Sequence, residues 1–245
     1  MITTTTHTLR RASLTAGVGL ALMAVLAGYA VFGAIAAQIT PGDAARTAQD
    51  IAASQGVFRL GIAGLIVVVI LDVIVATALY MLFAPVNRMV SIMAACFRIT
   101  YAAVYLVAIA QLVIAVDLLS NPAQALLAVN AYDTIWHVGL ILFGVHLLLI
   151  GVLAYRSGFI PKIFGILLMI AGAGYLADGF GTVLVQDYPI SIGAFTFVGE
   201  IALIFWLLIS GRRSDFHRAD SHPDDSRRND AHRELESDPT TTSVG

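Results

Sequence analysis

The stretch Leu60–Phe83, LGIAGLIVVVILDVIVATALYMLF, holds 24 residues and one formal charge, Asp72, at its centre. A helix needs about 20 predominantly apolar residues to cross roughly 30 Å of hydrocarbon. A strand of this kind, standing alone in lipid, would leave its backbone groups unpaired, so helix is the sensible assignment. A carboxyl group about ten residues, hence ~15 Å, from either end of such a helix lies near the bilayer midplane. An ionisable residue there is costly and must find a partner, a water-filled cavity or a neutral form.

Five further runs have the same character: Leu14–Gln38, Met89–Leu118, Asp133–Ala154, Lys162–Val185 and Ile190–Ser210. Breakers separate them at Pro41-Gly42, Ala84-Pro85, Asn121-Pro122, Ile160-Pro161 and Tyr188-Pro189. The expected fold is all-α, a polytopic bundle of six transmembrane helices over residues 14–210. A short N-terminal segment, 1–13, precedes it, and a polar tail, 211–245, follows. The third run, the longest, is expected to tilt or to extend beyond the bilayer.

The first connection has a pattern of its own. Asp43 is a good N-cap after Pro41-Gly42. Ala44, Ala48, Ile51 and Ala52 then recur at helical spacing, with Arg46, Gln49 and Asp50 on the rest of the wheel. This predicts a short amphipathic helix at the membrane surface between the first two spans. It is either a lid over an outer cavity or a packing element, and packing is the simpler reading.

Of 245 residues 58% are hydrophobic and 12% charged, and fourteen of the thirty Asp, Glu, Lys and Arg side chains fall in 211–245. A tail with one leucine and no aromatic beyond Phe216 cannot bury enough apolar surface to fold, so disorder is expected there and in Met1–Thr8. His217, His222 and His232 are read as solvated tail residues. Net charge is −2, which gives no basic field for nucleic acid. The single cysteine, Cys96, lies inside an apolar run and reads as a small core residue.

Basic residues set the expected orientation. One side of the membrane receives Arg10, Arg11, Arg88, Arg156, Lys162, Arg212, Arg213 and Arg218, and the other only Arg46 and Arg59. Both termini are therefore expected in the cytoplasm of a bacterial plasma-membrane protein. Arg10-Arg11 followed by an apolar stretch ending Ala34-Ile35-Ala36-Ala37 is similar to a secretory signal. The stretch is longer than the 7–15 residues typical of a signal core, so the first span is expected to be retained.

The buried polar set carries the functional reading. Asp72, Arg98 and Glu200 lie near the midplane, with His146 somewhat nearer the cytoplasm. Arginine keeps its charge and needs a counter-charge, and Asp72 and Glu200 are the acids at its depth. Tyr101 and Tyr105 share the face of Arg98 and are positioned to give hydroxyl bonds to those acids. Arg59, His137 and Asp178 form a second polar group nearer the outer face, with Asp117 and Asp133 interfacial. His137 and His146 are nine residues apart, which puts them on opposite sides of one helix, and no metal-ligand spacing is present. No metal, cofactor or catalytic constellation is predicted. Gly158, Gly165, Gly172 and Gly179 recur every seven residues and define a seam for close helix packing in the fifth span, with Met169 expected to face lipid.

Several segments resemble a bacterial membrane family known as domain of unknown function 4386. They are Pro41-Gly42-Asp43-Ala44-Ala45, Phe58-Arg59-Leu60-Gly61 with Asp72, Pro85-Val86-Asn87-Arg88 and Cys96-Phe97-Arg98. Phe143-Gly144-Val145-His146-Leu147-Leu148-Leu149, Tyr155-Arg156-Ser157-Gly158 with Pro161, Tyr175-Leu176-Ala177-Asp178 and Gly199-Glu200 complete the set. The resemblance covers nearly all of 14–210 and implies six helices, with no established activity. Three functions stay open. One is a transporter or binder of a small solute, proton or cation at the buried cluster. Another is a structural or regulatory membrane protein in which the cluster only fixes packing. The third is an intramembrane enzyme acting on lipid, which lacks a recognisable nucleophile. The partners expected are the lipid bilayer and a small solute or ion, with no nucleic acid. A reporter active only in the periplasm, fused after Gly245, should give no signal; a strong signal would reverse the orientation.

Overall fold

The structure is a computed structural model that describes residues 2–185, 188 and 198–210, with side-chain environments for 9–185, 188 and 203–209. Its helices are α1 (Ile2–Gly28), α2 (Ala44–Ala53), α3 (Gln55–Phe83), α4 (Arg88–Asp117), α5 (Pro122–Arg156), α6 (Lys162–Leu184) and α7 (Val198–Ser210). A π-helical stretch, Tyr29–Ile35, and a 3₁₀ turn, Ala36–Gln38, continue α1. Among the described residues there is no strand. Five segments are long and apolar enough to cross a membrane: Leu9–Gln38, Gln55–Phe83, Arg88–Asp117, Pro122–Arg156 and Lys162–Leu184. The chain is a multi-pass helical membrane protein. The described part of the expected sixth run is the 13-residue α7; its earlier part, and the tail 211–245, lie outside the described residues.

Short-range chemistry sets the boundaries. Asp43 accepts a bond from the Arg46 backbone N–H at 2.9 Å and opens α2. Asn87 accepts one from Val90 N–H at 3.0 Å and opens α4. Each side chain satisfies a backbone donor that the first helical turn leaves unpaired. Pro122 opens α5 at a position where its missing N–H costs nothing. Gly158, at φ +72°, turns the chain between α5 and α6.

Two helix boundaries differ from the expectation. α5 has 35 residues, starting at Pro122 instead of Asp133. The alanine-rich stretch Pro122–Tyr132 is less apolar than a span yet favours helix, so it extends α5 to about 52 Å, well past the hydrocarbon thickness. α1 begins at Ile2, within the segment read as disordered.

The helices form a ring. α1 packs on α3, α3 on α4, α4 on α5 and α5 on α6, and α7 closes it by packing on both α6 and α1. Ser13 donates to the Leu207 carbonyl at 3.2 Å across that closure. α2 packs chiefly on α5, with Thr47, Ala48 and Ile51 buried. On α3 the inward stripe is Leu65, Val68, Asp72, Val75, Leu79 and Leu82, while Ile66, Ile70, Val73 and Ile74 are exposed. An apolar outer face is what a helix in lipid presents, and the alternation follows the helical period. Cys96, expected in the core, is exposed on α4, two residues from the buried Arg98. A two-residue step turns about 200° around a helix, so the two side chains must face opposite ways.

The closest contact joins α5 and α6. A Cβ on Gly172 would lie 2.7 Å from the Gly144 carbonyl oxygen, and one on Gly165 would lie 2.7 Å from that of Gly151. At the far end the neighbours of Gly179 are Ile141 and the His137 carbonyl. Seven residues up one helix match seven down the other, so the seam has a glycine row on each side. Two expectations change here. Gly158 belongs to the turn and meets nothing within 4 Å. Met169 is no lipid-facing residue, since its backbone N would lie 2.9 Å from a Cβ on Gly151. Gly172→Leu should therefore destabilise the protein by about 1–3 kcal/mol or more, as overpacking does. Ile170→Leu, at an exposed position, should stay within ~0.5 kcal/mol. Thermal unfolding of the purified variants in detergent checks this, and equal tolerance at the two sites would remove the seam.

Candidate functional site

Three inward stripes converge on Arg98. α4 supplies it from the row Ser91, Ala94, Arg98, Tyr101 and Tyr105. α3 supplies Asp72, and α5 supplies His146 with Phe143 one turn before it. The ion pair is close, with Arg98 Nη2 2.8 Å from Asp72 Oδ1. Arg98 Nη1 lies 3.2 Å from His146 Nε2. The opposite ring nitrogen, Nδ1, lies 2.8 Å from the Ala94 carbonyl oxygen. A guanidinium only donates and a carbonyl only accepts, so Nε2 must accept while Nδ1–H donates. His146 is thereby a neutral imidazole with a fixed tautomer.

Two further groups enclose the guanidinium. Met23 of α1 lies with its sulfur 3.9 Å from Nη2, and the Phe143 ring centroid is 5.5 Å from Cζ. The second is a cation–π contact, favourable for a desolvated arginine. Relative exposures are 3% for Arg98, 1% for Asp72 and 1% for His146. The cluster is not fully satisfied. Arg98 Nε and Asp72 Oδ1 are buried without a hydrogen-bond partner among the described residues. The ion pair is thus close in distance but poorly aligned as a hydrogen bond.

Aromatic side chains fill the space beside this cluster. Tyr101 stacks on Tyr105 at 5.9 Å between centroids and meets Phe143 at 4.9 Å in a tilted contact. Among the described residues their hydroxyls make no bond to Asp72, contrary to expectation, and the Glu200 side chain lies outside those residues. The Tyr101 hydroxyl accepts from Trp136 Nε1 at 3.2 Å, and the Tyr105 hydroxyl meets that of Tyr132 at 3.4 Å. Tyr132, Trp136 and Phe143 all come from α5, at steps of four and seven, and, like Met23, none is a candidate site residue in the sequence reading.

The remaining candidates lie away from the cluster, and of them His137 and Asp178 are neighbours across the α5–α6 seam, where Gly179 meets the His137 carbonyl. Arg59 is exposed on α3. His137 Nδ1 lies 2.8 Å from the Asp133 carbonyl and 3.3 Å from Asp133 Oδ2, both on its own helix. Asp178 is buried and accepts from the Tyr188 hydroxyl at 3.3 Å. Asp117 closes α4 at an exposed position. Glu200 belongs to α7, but its side chain lies outside the described residues. Among the described residues no three His, Cys, Asp or Glu side chains converge as metal ligands would.

The family model for the Domain of unknown function (DUF4386) matches residues 15–211. The chain belongs to this family. The DUF4386 match runs from α1 past the end of α7 and contains every member of the cluster. A protein of Archaeoglobus fulgidus, described as "Uncharacterized protein", is 40% identical over 152 residues, covering 62% of this chain and 84% of the relative. No solved structure matches the chain.

Removing one partner of a buried ion pair strands the other in low dielectric, at a typical cost of about 3–5 kcal/mol. Arg98→Met should lower stability by that order. Adding Asp72→Asn should recover part of the loss, because no charge is then stranded. Unfolding free energies of the two single mutants and the double mutant decide it; strict additivity would dissolve the pair.

Proposed function

We propose that this DUF4386 protein binds a small polar solute or ion at the Asp72–Arg98–His146 cluster and carries it across the bilayer. The observation that supports this reading is Arg98 Nε–H, buried without a hydrogen-bond partner among the described residues, beside an ion pair whose 2.8 Å contact at Asp72 Oδ1 is poorly aligned as a hydrogen bond. Buried polar atoms in native proteins are nearly always satisfied, and exceptions mark strain, function or a missing small partner. An ionisable cluster within a membrane span points the same way.

The chemistry of the three groups suggests how such a site works. Arg98 cannot shed its proton, whereas Asp72 and His146 can each accept one. A proton on Asp72 removes the counter-charge of Arg98. A small anion entering with that proton restores neutrality at the guanidinium. Uptake of the pair leaves the site's net charge unchanged, which avoids burying a lone charge in hydrocarbon.

In this reading α7 belongs to a sixth span, α2 lies at the outer membrane surface, and both termini face the cytoplasm of a plasma membrane. The first span is retained. The site needs no metal or cofactor and has no catalytic role. A second reading is favoured by the enclosure itself. Asp72, Arg98 and His146 come from three different helices, so the cluster also fixes which faces of α3, α4 and α5 meet. Metabolite profiling of a deletion strain separates the two. Arg98→Met/Asp72→Asn should fold yet leave the deletion profile uncorrected. A folded double mutant that restores the wild-type profile would make the cluster a packing device.

A further inference from the structure

A surface groove of about 520 Å³ runs between α1 and α3. Arg11 and Thr15 line it from α1, and Val73, Ile74, Thr77 and Met81 from α3. We propose that it holds an acidic phospholipid, with the phosphate at Arg11 and an acyl chain along α3.

The two helices run antiparallel, because Gly19 meets Val75 while Gly61 meets Ala34. Arg11 therefore lies level with the end of α3, where the chain turns through Pro85 to Arg88. From Met81 the apolar wall descends seven residues to Ile74, about 10 Å toward the membrane centre. A cation at the head of an apolar channel of that direction matches a lipid better than a free anion. Thr77 donates its hydroxyl to the Val73 carbonyl at 3.0 Å, so the α3 wall offers no free side-chain donor, and Arg11 on α1 is the groove's cation.

Charge complementarity gives the sign. Arg10, Arg11, Arg88, Arg156 and Lys162 occupy one end of the bundle, at the start of α1 and around the α3–α4 and α5–α6 turns. No Asp or Glu occurs in 1–42, 73–116 or 134–177, which carry the start of α1 and the α3–α4 and α5–α6 turns at this end. Arg11 is exposed and forms no ion pair among the described residues. Its guanidinium is suited to a phosphate oxygen pair, and basic pockets between membrane helices bind acidic headgroups. A choline headgroup brings its own cation into this field and is disfavoured.

Native mass spectrometry of the full chain released from detergent tests the site. Phosphatidylglycerol and phosphatidylcholine with identical acyl chains are added together. The expected result is severalfold greater retention of phosphatidylglycerol. Arg11→Gln should remove most of that preference, while Arg88→Gln, exposed at the same end and outside the groove, should keep it. Thr77→Trp, at an exposed position, should fill the groove and lower retention with Arg11 intact. Equal retention of the two lipids, or an equal loss in both arginine variants, would overturn the proposal. So would full displacement by inorganic phosphate, which would mark a site for the anion alone.

Discussion

A guanidinium that stays charged inside the hydrocarbon layer is the constraint around which the rest is arranged. Arg98 points inward from the middle of α4, so the ring must deliver a counter-charge, an acceptor and a desolvated wall to one point. α3 brings Asp72 to 2.8 Å, α5 brings the His146 acceptor to 3.2 Å, and α1 and α5 close the remaining sides with Met23 and Phe143. Exchanging an ion pair for apolar residues is often neutral or favourable, so such a cluster is weak evidence for stability alone. What it fixes is rotation. A turn of α3, α4 or α5 about its own axis would strand one member.

That rotational demand makes the glycine rows consequential. Gly144 and Gly151 face α6, while Phe143 and His146 face inward from the same helix. Backbone contact along two glycine rows has one register, because a slip would drive a leucine or methionine side chain into an opposing carbonyl. Van der Waals packing of this kind replaces the hydrophobic driving force that membrane helices lack. The seam thus holds α5 at a set rotation, and that rotation presents the Nε2 acceptor to Arg98. The second anchor is the Nδ1–H bond to Ala94, one turn before Arg98 on α4, which ties ring orientation to the same helix that carries the charge.

Much of this was legible in the residues. Depth counting put Asp72 and Arg98 at one level, and arginine's fixed charge made their pairing the economical choice. Heptad spacing found one side of the seam. The losses have physical causes. Periodicity describes one helix at a time, so it named Gly165 and Gly172 but not their partners Gly144 and Gly151. Hydropathy underrates an alanine-rich extension such as Pro122–Tyr132, and with α5 cut short, Tyr132 fell outside the span. The stripe of Tyr132, Trp136, Phe143 and His146 is therefore broken in the sequence, and nothing there sets Trp136 against the Tyr101 hydroxyl or Tyr132 against that of Tyr105. Cys96 was misplaced because an apolar run says nothing about which of its residues faces lipid. Met23 gave no signal, since a thioether beside a guanidinium looks like any other methionine.

The ring also explains how the polar cluster at its centre is kept apart from the basic end. Between the buried cluster and the basic turns, the inner stripes of α3 and α4 carry Val75, Leu79 and Leu82 and Ala94 and Ser91. Ser91 is the polar exception, and it donates to the Tyr80 carbonyl at 3.1 Å, which spends its hydrogen on joining α3 to α4. On the other side of Arg98 the filling is aromatic, with hydroxyl and indole groups paired to one another. A charge at Arg98 is thus insulated by hydrocarbon on the basic side and by paired hydroxyls on the other. Any proton or solute that reaches it must separate α3, α4 and α5, pass Met23 of α1 or displace that aromatic filling. Tyr101 and Tyr105 come from α4, while Tyr132, Trp136 and Phe143 come from α5, so displacing the filling means moving those two helices apart. That interface is itself tied by Trp136 to the Tyr101 hydroxyl, Tyr132 to that of Tyr105 and His146 to the Ala94 carbonyl, so it resists separation as the seam does.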